Sequence, residues 1–213
     1  MNNNSSKQIL LSVIGVAILV VAVVGVSFAF FTYTRTGEQN NLITTGSLVF
    51  TFDDGSDTIN LTNHFPISTA DGIALTGKNN ICTFSVTGKT TAGSSIGYEV
   101  FAVLGSTMSD KTRFKDTEVF VNIQSEVPEG MSFTPATGAA EGKAIDALTG
   151  ATGKKSLGTG TVTSTDSATT NFTVRMWVDS SVVKIGAADS DTYTTEAYGN
   201  LYYSMKILVE ANA

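Results

Sequence analysis

The chain has 213 residues, a formal net charge of -6 and a pI near 4.7. This length fits one domain with a sizeable core. The acidic balance argues against a nucleic-acid partner, because phosphate binding requires clustered Lys and Arg. The charges are scattered along the sequence, which is typical of a solvated surface.

The composition favours strands joined by turns. Thr and Ser are abundant, and 20 Gly contrast with only 3 Pro. Thr is β-branched and suits strands, whereas Gly and Ser favour turns. Cys82 is the only cysteine, so no disulfide forms within the chain. Its apolar surroundings, ICTFSV, predict a thiol buried in a strand.

An uncharged apolar segment occupies residues 9–31, and only Lys7 precedes it as a charged residue. As a helix at about 1.5 Å per residue, this segment would be roughly 35 Å long, enough to cross a bilayer. The sequence therefore predicts an N-terminal apolar helix that targets the chain to the membrane. Lys7 favours a cytoplasmic N-terminus and an external domain if the helix is retained.

Two fates of the apolar segment remain open. Ser27-Phe28-Ala29 has the small-x-small pattern that a signal peptidase recognises, so cleavage between Ala29 and Phe30 is predicted. The apolar run exceeds the 7–15 residues usual for a cleaved leader, which favours a retained anchor. Residues 1–29 are thus a signal peptide or a membrane anchor, and both fates place the following domain outside the cell.

A short strand is predicted immediately after this segment, within an N-terminal strand and hinge at residues 30–46. Phe31, Tyr33 and Arg35 alternate with threonines, which is period-two strand patterning. A short apolar strand at a chain end is a liability unless something pairs with it. It can fold back on its own domain or add to the sheet edge of another subunit, a head-to-tail contact that polymerises.

Residues 47–213 are predicted to form one all-β domain, a jelly-roll-like antiparallel β-sandwich. The stretch 135–155 is poor in large apolar residues and is predicted to be a long loop, with one helical turn near 144–148. The segment 58–61 is a candidate hairpin partner for the first strand. The predicted strands are 47–52, 82–86, 97–104, 119–123, 158–164, 171–178 and 201–210.

No catalytic, cofactor or metal site is predicted. His64 is the only histidine, and its context, NHFP, predicts a turn residue with a structural or surface role. HExxH, CxxC and phosphate-loop motifs do not occur in the sequence. Hairpin turns account for the acidic residues Asp53, Asp54, Asp57, Asp189 and Asp191 better than a Ca²⁺ site does.

Several motifs together resemble the TasA/camelysin family of secreted biofilm-matrix proteins from Gram-positive bacteria. They are the apolar leader ending in SFA, the start FFTYT, the strand TGSLVFTF, the run INLTN at 59–63, the Pro66 turn with Asp71-Gly72, and CTFSV. The resemblance spans residues 9–104. It implies processing by a dedicated signal peptidase, a jelly-roll fold, and fibres in which the N-terminal strand of one subunit completes the sheet of the next. The implied donor-strand residues are Phe30, Phe31, Tyr33 and Arg35.

The leading expectation is a non-enzymatic fibre subunit of the extracellular matrix or cell surface, with itself as partner in a head-to-tail homopolymer. Its further partners are a signal peptidase during export and, if the leader stays, the membrane through residues 9–31. One alternative is a membrane-anchored surface binding module. The second is a secreted metal-dependent protease, a label given to some relatives, although this chain has one histidine and no ligand motif.

Overall fold

The structure is a computed structural model and describes residues 46–52, 57–62, 64–77, 80–186 and 192–212. In these ranges the chain is mostly β-strand with a few short helices. The strands are β1 Gly46–Phe52, β2 Thr58–Thr62, β3 Ile81–Thr90, β4 Ile96–Leu104, β5 Thr112–Arg113, β6 Val119–Glu126, β7 Met131–Pro135, β8 Lys143–Ala144, β9 Lys154–Val162, β10 Ala168–Val178, β11 Lys184–Ile185, β12 Thr192–Tyr193 and β13 Leu201–Asn212. The helices are α1 Thr69–Ile73, α2 Thr137–Glu141 and α3 Thr195–Gly199, with a 3-10 turn at Ile145–Ala147.

Two sheets form the body of the domain. Sheet I has the strand order β1-β3-β10-β6-β8 and is antiparallel throughout. Sheet II has the order β2-β13-β4-β9-β7, also antiparallel, and β5 pairs with β13 in parallel over two residues. The predicted all-β, antiparallel class is confirmed. Among the described residues, no helix is long and apolar enough to span a bilayer.

Alternating side chains of the two sheets meet in a common core. In β10, Phe172, Val174, Met176 and Val178 are buried, as the sequence alternation predicts. The Phe172 ring stacks on Phe84 of β3, with ring centroids 4.8 Å apart. It also meets Phe133 of sheet II edge-on at 4.8 Å. Aromatic contacts between the sheets therefore hold this sandwich-like domain together.

Helix α1 covers one end of the outer face of sheet I. Trp177 lies on the outer side of β10 by alternation, yet it is only 1% exposed. Gly72 of α1 packs directly against the indole, because a Cβ at this position would lie 2.2 Å from the ring. The Ser68 side chain caps α1 by accepting a hydrogen bond from the Asp71 backbone N–H at 3.2 Å. A glycine at position 72 thus lets α1 pack against the Trp177 indole and shield it from solvent.

One sequence prediction about connectivity is wrong. The segment 58–61 is not a hairpin partner of β1, because β2 pairs with β13 in sheet II while β1 pairs with β3 in sheet I. Both strands carry buried residues on alternate positions, Leu48 in β1 and Ile59 and Leu61 in β2. Local pattern therefore fits either pairing, and the choice depends on long-range packing.

The stretch 135–155 is more ordered than the predicted loop. The predicted helical turn is present as the 3-10 turn Ile145–Ala147. However, α2 and β8 also form here, and β9 begins at Lys154 instead of Gly158. Asn122 of β6 accounts for α2, since its side-chain amide donates hydrogen bonds to the carbonyls of Ala139 (3.1 Å) and Ala140 (3.0 Å).

Candidate functional site

The residues predicted to direct export and assembly lie outside the described ranges. They are Ala29 and Phe30 at the cleavage position, and Phe30, Phe31, Tyr33 and Arg35 in the donor strand. The apolar segment 9–31 lies outside them as well. Cleavage, anchoring and strand donation therefore stay predictions, and the structure bears on the surfaces to which such a strand would add.

His64 lies between β2 and α1 and is half-buried, and this burial lowers the pKa of its imidazole. Its backbone carbonyl accepts a hydrogen bond from the hydroxyl of Tyr198. Of the acidic residues predicted to sit in turns, only Asp57 falls in the described part, where it accepts a hydrogen bond from the Thr58 hydroxyl at 3.0 Å. No group of three or more His, Cys, Asp or Glu side chains comes together within the described ranges.

In the described ranges two acidic side chains are buried, contrary to the prediction that the charges form a solvated surface. Asp179 is 1% exposed and accepts hydrogen bonds from Trp177 Nε1 (3.0 Å), Thr69 Oγ1 (2.7 Å), and the backbone N–H and hydroxyl of Ser181 (2.9 and 2.6 Å). Desolvation by burial opposes ionisation, but the bonds from Ser181, Trp177 and Thr69 outweigh it and lower the pKa of Asp179. The ionised carboxylate, which follows β10, thus links this strand to α1 through the hydrogen bond from Thr69.

Glu118 is the second buried acid, at 7% exposure. It accepts hydrogen bonds from the Tyr193 hydroxyl (2.8 Å) and the Lys115 backbone N–H (2.9 Å). Desolvation by burial, together with the hydrogen bond to Glu118, raises the pKa of Tyr193 to about 12. Nearby, the hydroxyl of Tyr203 donates to Asp116 at 2.9 Å. These contacts fix the loop before β6 to the C-terminal segment.

Among the described strands, β1 is an edge strand of sheet I. It pairs with β3 on one side, and none of the described strands pairs with its other side. Its sequence, GSLVFTF, contains no charge and no proline. Leu48 is buried, whereas Phe50 at the edge of the core is only partly covered. Such a strand lacks the usual devices that prevent edge-to-edge pairing.

The other edges are shorter or protected. β7, at an edge of sheet II, has five residues and ends in Pro135, which has no N–H to donate. β8 closes the opposite edge of sheet I with only two residues, one of them Lys143. β2 carries no charge but spans only five residues. β1 is therefore the edge best suited to accept another strand.

The outer face of sheet I carries mostly uncharged polar side chains, and we call it the threonine face. Strand register aligns its residues in rows across the sheet, with Thr83 opposite Thr173 and Thr173 opposite Gln124. A groove runs along this face beside β6, where β8 no longer pairs with it. The threonine face consists of Thr51, Thr83, Ser85, Thr87, Gln124, Thr169, Asn171 and Thr173.

Comparisons with known proteins leave the chain without an assigned family. No protein-family model matches it, and no curated protein matches it. A solved structure described as "AvmM Catalyzes Macrocyclization in Alchivemycin A Biosynthesis" aligns with 13% identity over 76% of this chain and 94% of its own. Its TM-score of 0.18 is too low to indicate a shared fold.

Proposed function

We propose that the protein is a non-enzymatic structural subunit of extracellular or cell-surface fibres. The predicted strand Phe30–Gly37 of one copy adds to the open edge of β1 in the next copy. In this proposal the sandwich is a jelly roll that the added strand completes. The head-to-tail contact does not close on itself, so it generates a fibre.

The observation that carries the proposal is the match between β1 and the alternation of the predicted donor strand. On β1, Leu48 and Phe50 are oriented to the core side and Thr51 to the outer side. The donor segment repeats this pattern, with Phe31 and Tyr33 alternating with threonines. Added beside β1, the two aromatic residues would cover the partly exposed Phe50, and the threonines would extend the threonine face.

The expected energetics rest on backbone hydrogen bonds and aromatic burial. A seven-residue edge offers the outward N–H and C=O groups of alternate residues, each bond contributing about 0.5–1.5 kcal/mol net. Burying each aromatic side chain contributes about 1.5–3 kcal/mol more. The aromatic positions of the donor strand should therefore dominate the contact.

The test substitutes these positions in the full-length chain, which is exported and imaged by negative-stain electron microscopy. Phe31→Ser/Tyr33→Ser should abolish fibres, whereas the control Thr32→Ser/Thr34→Ser, on the other face of the same strand, should retain them. Fibres of normal length from the aromatic variant would refute strand donation. Mass spectrometry of the exported protein separates the anchored-module alternative, since that alternative requires the full-length mass and no form beginning at Phe30.

A further inference from the structure

We propose that the threonine face and its groove bind a neutral polysaccharide chain. This function is independent of polymerisation, since every residue that carries it lies within a single copy of the domain. The argument rests on the side chains that the face presents, on its charge, and on the groove beside β6.

The face presents hydroxyl and amide groups in a regular array. Strand neighbours in a sheet are about 4.8 Å apart, and residues on the same side of one strand are about 6.8 Å apart. One row runs from Thr51 through Ser85 and Asn171, and the next runs from Thr83 through Thr173 to Gln124. Groups at these spacings can donate to and accept from successive hydroxyls of an extended polyhydroxylated chain.

Several of these groups are not used within the domain. The side chains of Thr83, Asn171 and Thr173 form no hydrogen bond with another described residue, whereas the hydroxyls of Thr87 and Thr169 lie 2.8 Å apart and bond to each other. Asn171 is exposed, and Thr83 and Thr173 are half-buried. These three side chains are therefore at least partly accessible, and their hydrogen-bonding capacity remains available.

The groove gives this face a concave border. Its polar lining includes Gln124, Glu126, Asn171, Thr173 and Arg175, and its apolar lining is Ile123, Pro135, Ala140 and Phe172. Arg175 donates from Nη1 to Gln124 Oε1 and from Nε to the Leu75 carbonyl, both at 2.8 Å. The guanidinium is thereby held in place at the end of the groove, and it orients the Gln124 amide beside Thr173. A concave site that combines apolar lining with a few fixed polar side chains is typical of ligand binding.

The charge and composition of the face select the occupant. Beyond the hydroxyl and amide groups, the charged residues on the outer side of β3, β10 and β6 are Lys89, Arg175 and Glu126, and the apolar residues Ile81, Phe120 and Trp177 lie outside the central rows. This near-balance suits neither a polyanion nor a polycation. Protein interfaces rely on aromatic and aliphatic anchors, which the central rows do not contain. A neutral chain of hydroxyl groups remains as the complementary ligand.

The test measures binding of the full-length protein to immobilised neutral polysaccharides by biolayer interferometry. The probes are dextran, hydroxyethyl cellulose, laminarin and galactomannan, with alginate as the anionic comparison. The variant Thr83→Val/Thr173→Val removes two hydroxyls from one cross-strand pair. Its matched control, Thr134→Val/Thr159→Val, alters an exposed cross-strand pair on sheet II.

We expect at least one neutral probe to bind. We expect the Thr83/Thr173 variant to weaken that binding roughly 25-fold, since it removes two hydroxyls and each lost hydrogen bond costs about fivefold. The control, and the rescue variant Thr83→Ser/Thr173→Ser, should stay within about twofold of the parent. Binding to none of the four neutral probes, or to alginate alone, would overturn the proposal. Equal losses of binding in the two valine variants would also overturn it. A third contrary result would be that the face binds a Phe30–Gly37 peptide through Thr83 and Thr173 but binds no polysaccharide.

Discussion

The two sheets bury comparable apolar faces but differ on their outer sides. On sheet II, Lys154 forms an ion pair with Glu210 at 2.7 Å and lies 4.1 Å from the centre of the Phe101 ring. On sheet I, the side chains of Thr83, Asn171 and Thr173 form no hydrogen bond with another described residue, and no described strand pairs with the outer edge of the seven-residue β1. Sheet II thus engages part of its outer surface internally, and both proposals, strand addition and polysaccharide binding, concern sheet I.

The largest expected effect is on assembly at the β1 edge. Lysines on an edge strand discourage pairing with another strand, so Val49→Lys/Thr51→Lys should slow fibre formation at least tenfold. The same charges on the edge of sheet II, Ser132→Lys/Thr134→Lys, should leave the rate within twofold. Light scattering and electron microscopy measure both. Equal inhibition of fibre formation by the two variants would contradict the proposal that assembly uses the β1 edge of sheet I.

The covered end of sheet I should be the most sensitive part of the domain to substitution. Gly72→Ala places a Cβ against the Trp177 indole, where the ideal position is 2.2 Å from the ring. Neither backbone nor indole can yield cheaply in a packed interior, so we expect a loss of about 3 kcal/mol in the free energy of unfolding. Gly77→Ala is the matched control, because its Cβ meets nothing within 4 Å. Urea denaturation with tryptophan fluorescence measures both, and equal midpoints would contradict the packing argument.

The carboxylate of Asp179 should contribute about 2 kcal/mol through its charge-assisted hydrogen bonds. Asp179→Asn keeps the size of the side chain but removes the charge and some accepting capacity. Asp71→Asn is the control, since Asp71 is exposed at the start of α1. Chemical denaturation of both variants at neutral pH measures the difference.

The contribution of Asp179 should also depend on pH. Its pKa in the folded state is lowered below the unfolded value of about 3.9, so the stabilisation is complete above that value and is lost as pH falls through the folded pKa. The stability gap between the parent and Asp179→Asn should therefore be constant near neutral pH and should shrink below about pH 4. A gap that persists undiminished to pH 2 would show that ionisation of this carboxylate is irrelevant.

The smallest effect is expected on the outer face of sheet II. Lys154→Met removes the exposed ion pair with Glu210 and the contact with the Phe101 ring. An exposed ion pair and an exposed cation-π contact contribute about 0.5 kcal/mol each, so the loss should be about 1 kcal/mol and should fall in high salt. Thermal unfolding at two salt concentrations measures it. A loss of unfolding free energy as large as that of Asp179→Asn would contradict this account, because it would show that the exposed contacts of Lys154 stabilise the fold as much as a buried carboxylate does.

The sequence predicted those parts of the fold that depend on local alternation. Phe172, Val174 and Met176 fall on one side of β10 because period two is a property of any half-buried strand. Cys82 is buried in β3, as its apolar neighbours predict. In contrast, the pairing of β2 with β13 joins segments far apart in the chain, and no local pattern distinguishes it from a hairpin with β1.

The buried polar groups could not be predicted for a related reason. Asp179 follows an apolar strand in a position that suits a turn, and only the fold brings Thr69, more than a hundred residues earlier, to its carboxylate. Trp177 has the parity of a solvent-facing residue, and its burial depends on a glycine in α1. The sequence shows only that Thr is abundant. It does not predict the threonine face, because the alignment of its rows depends on the register of β1, β3, β10 and β6.

The central claim is tested most directly by asking whether the strand Phe30–Gly37 contacts β1 of a different copy. Full-length Thr34→Cys/Val49→Cys protein is prepared in unlabelled and ¹⁵N-labelled forms. The two forms are mixed before assembly and then treated with a short bis-maleimide crosslinker. The control variant, Thr34→Cys/Thr134→Cys, places the second cysteine at the edge of sheet II. Strand donation predicts crosslinked peptides that join light and heavy copies through positions 34 and 49, and few through 34 and 134. Crosslinks only within single copies would show that the strand folds back on its own domain and would contradict the account.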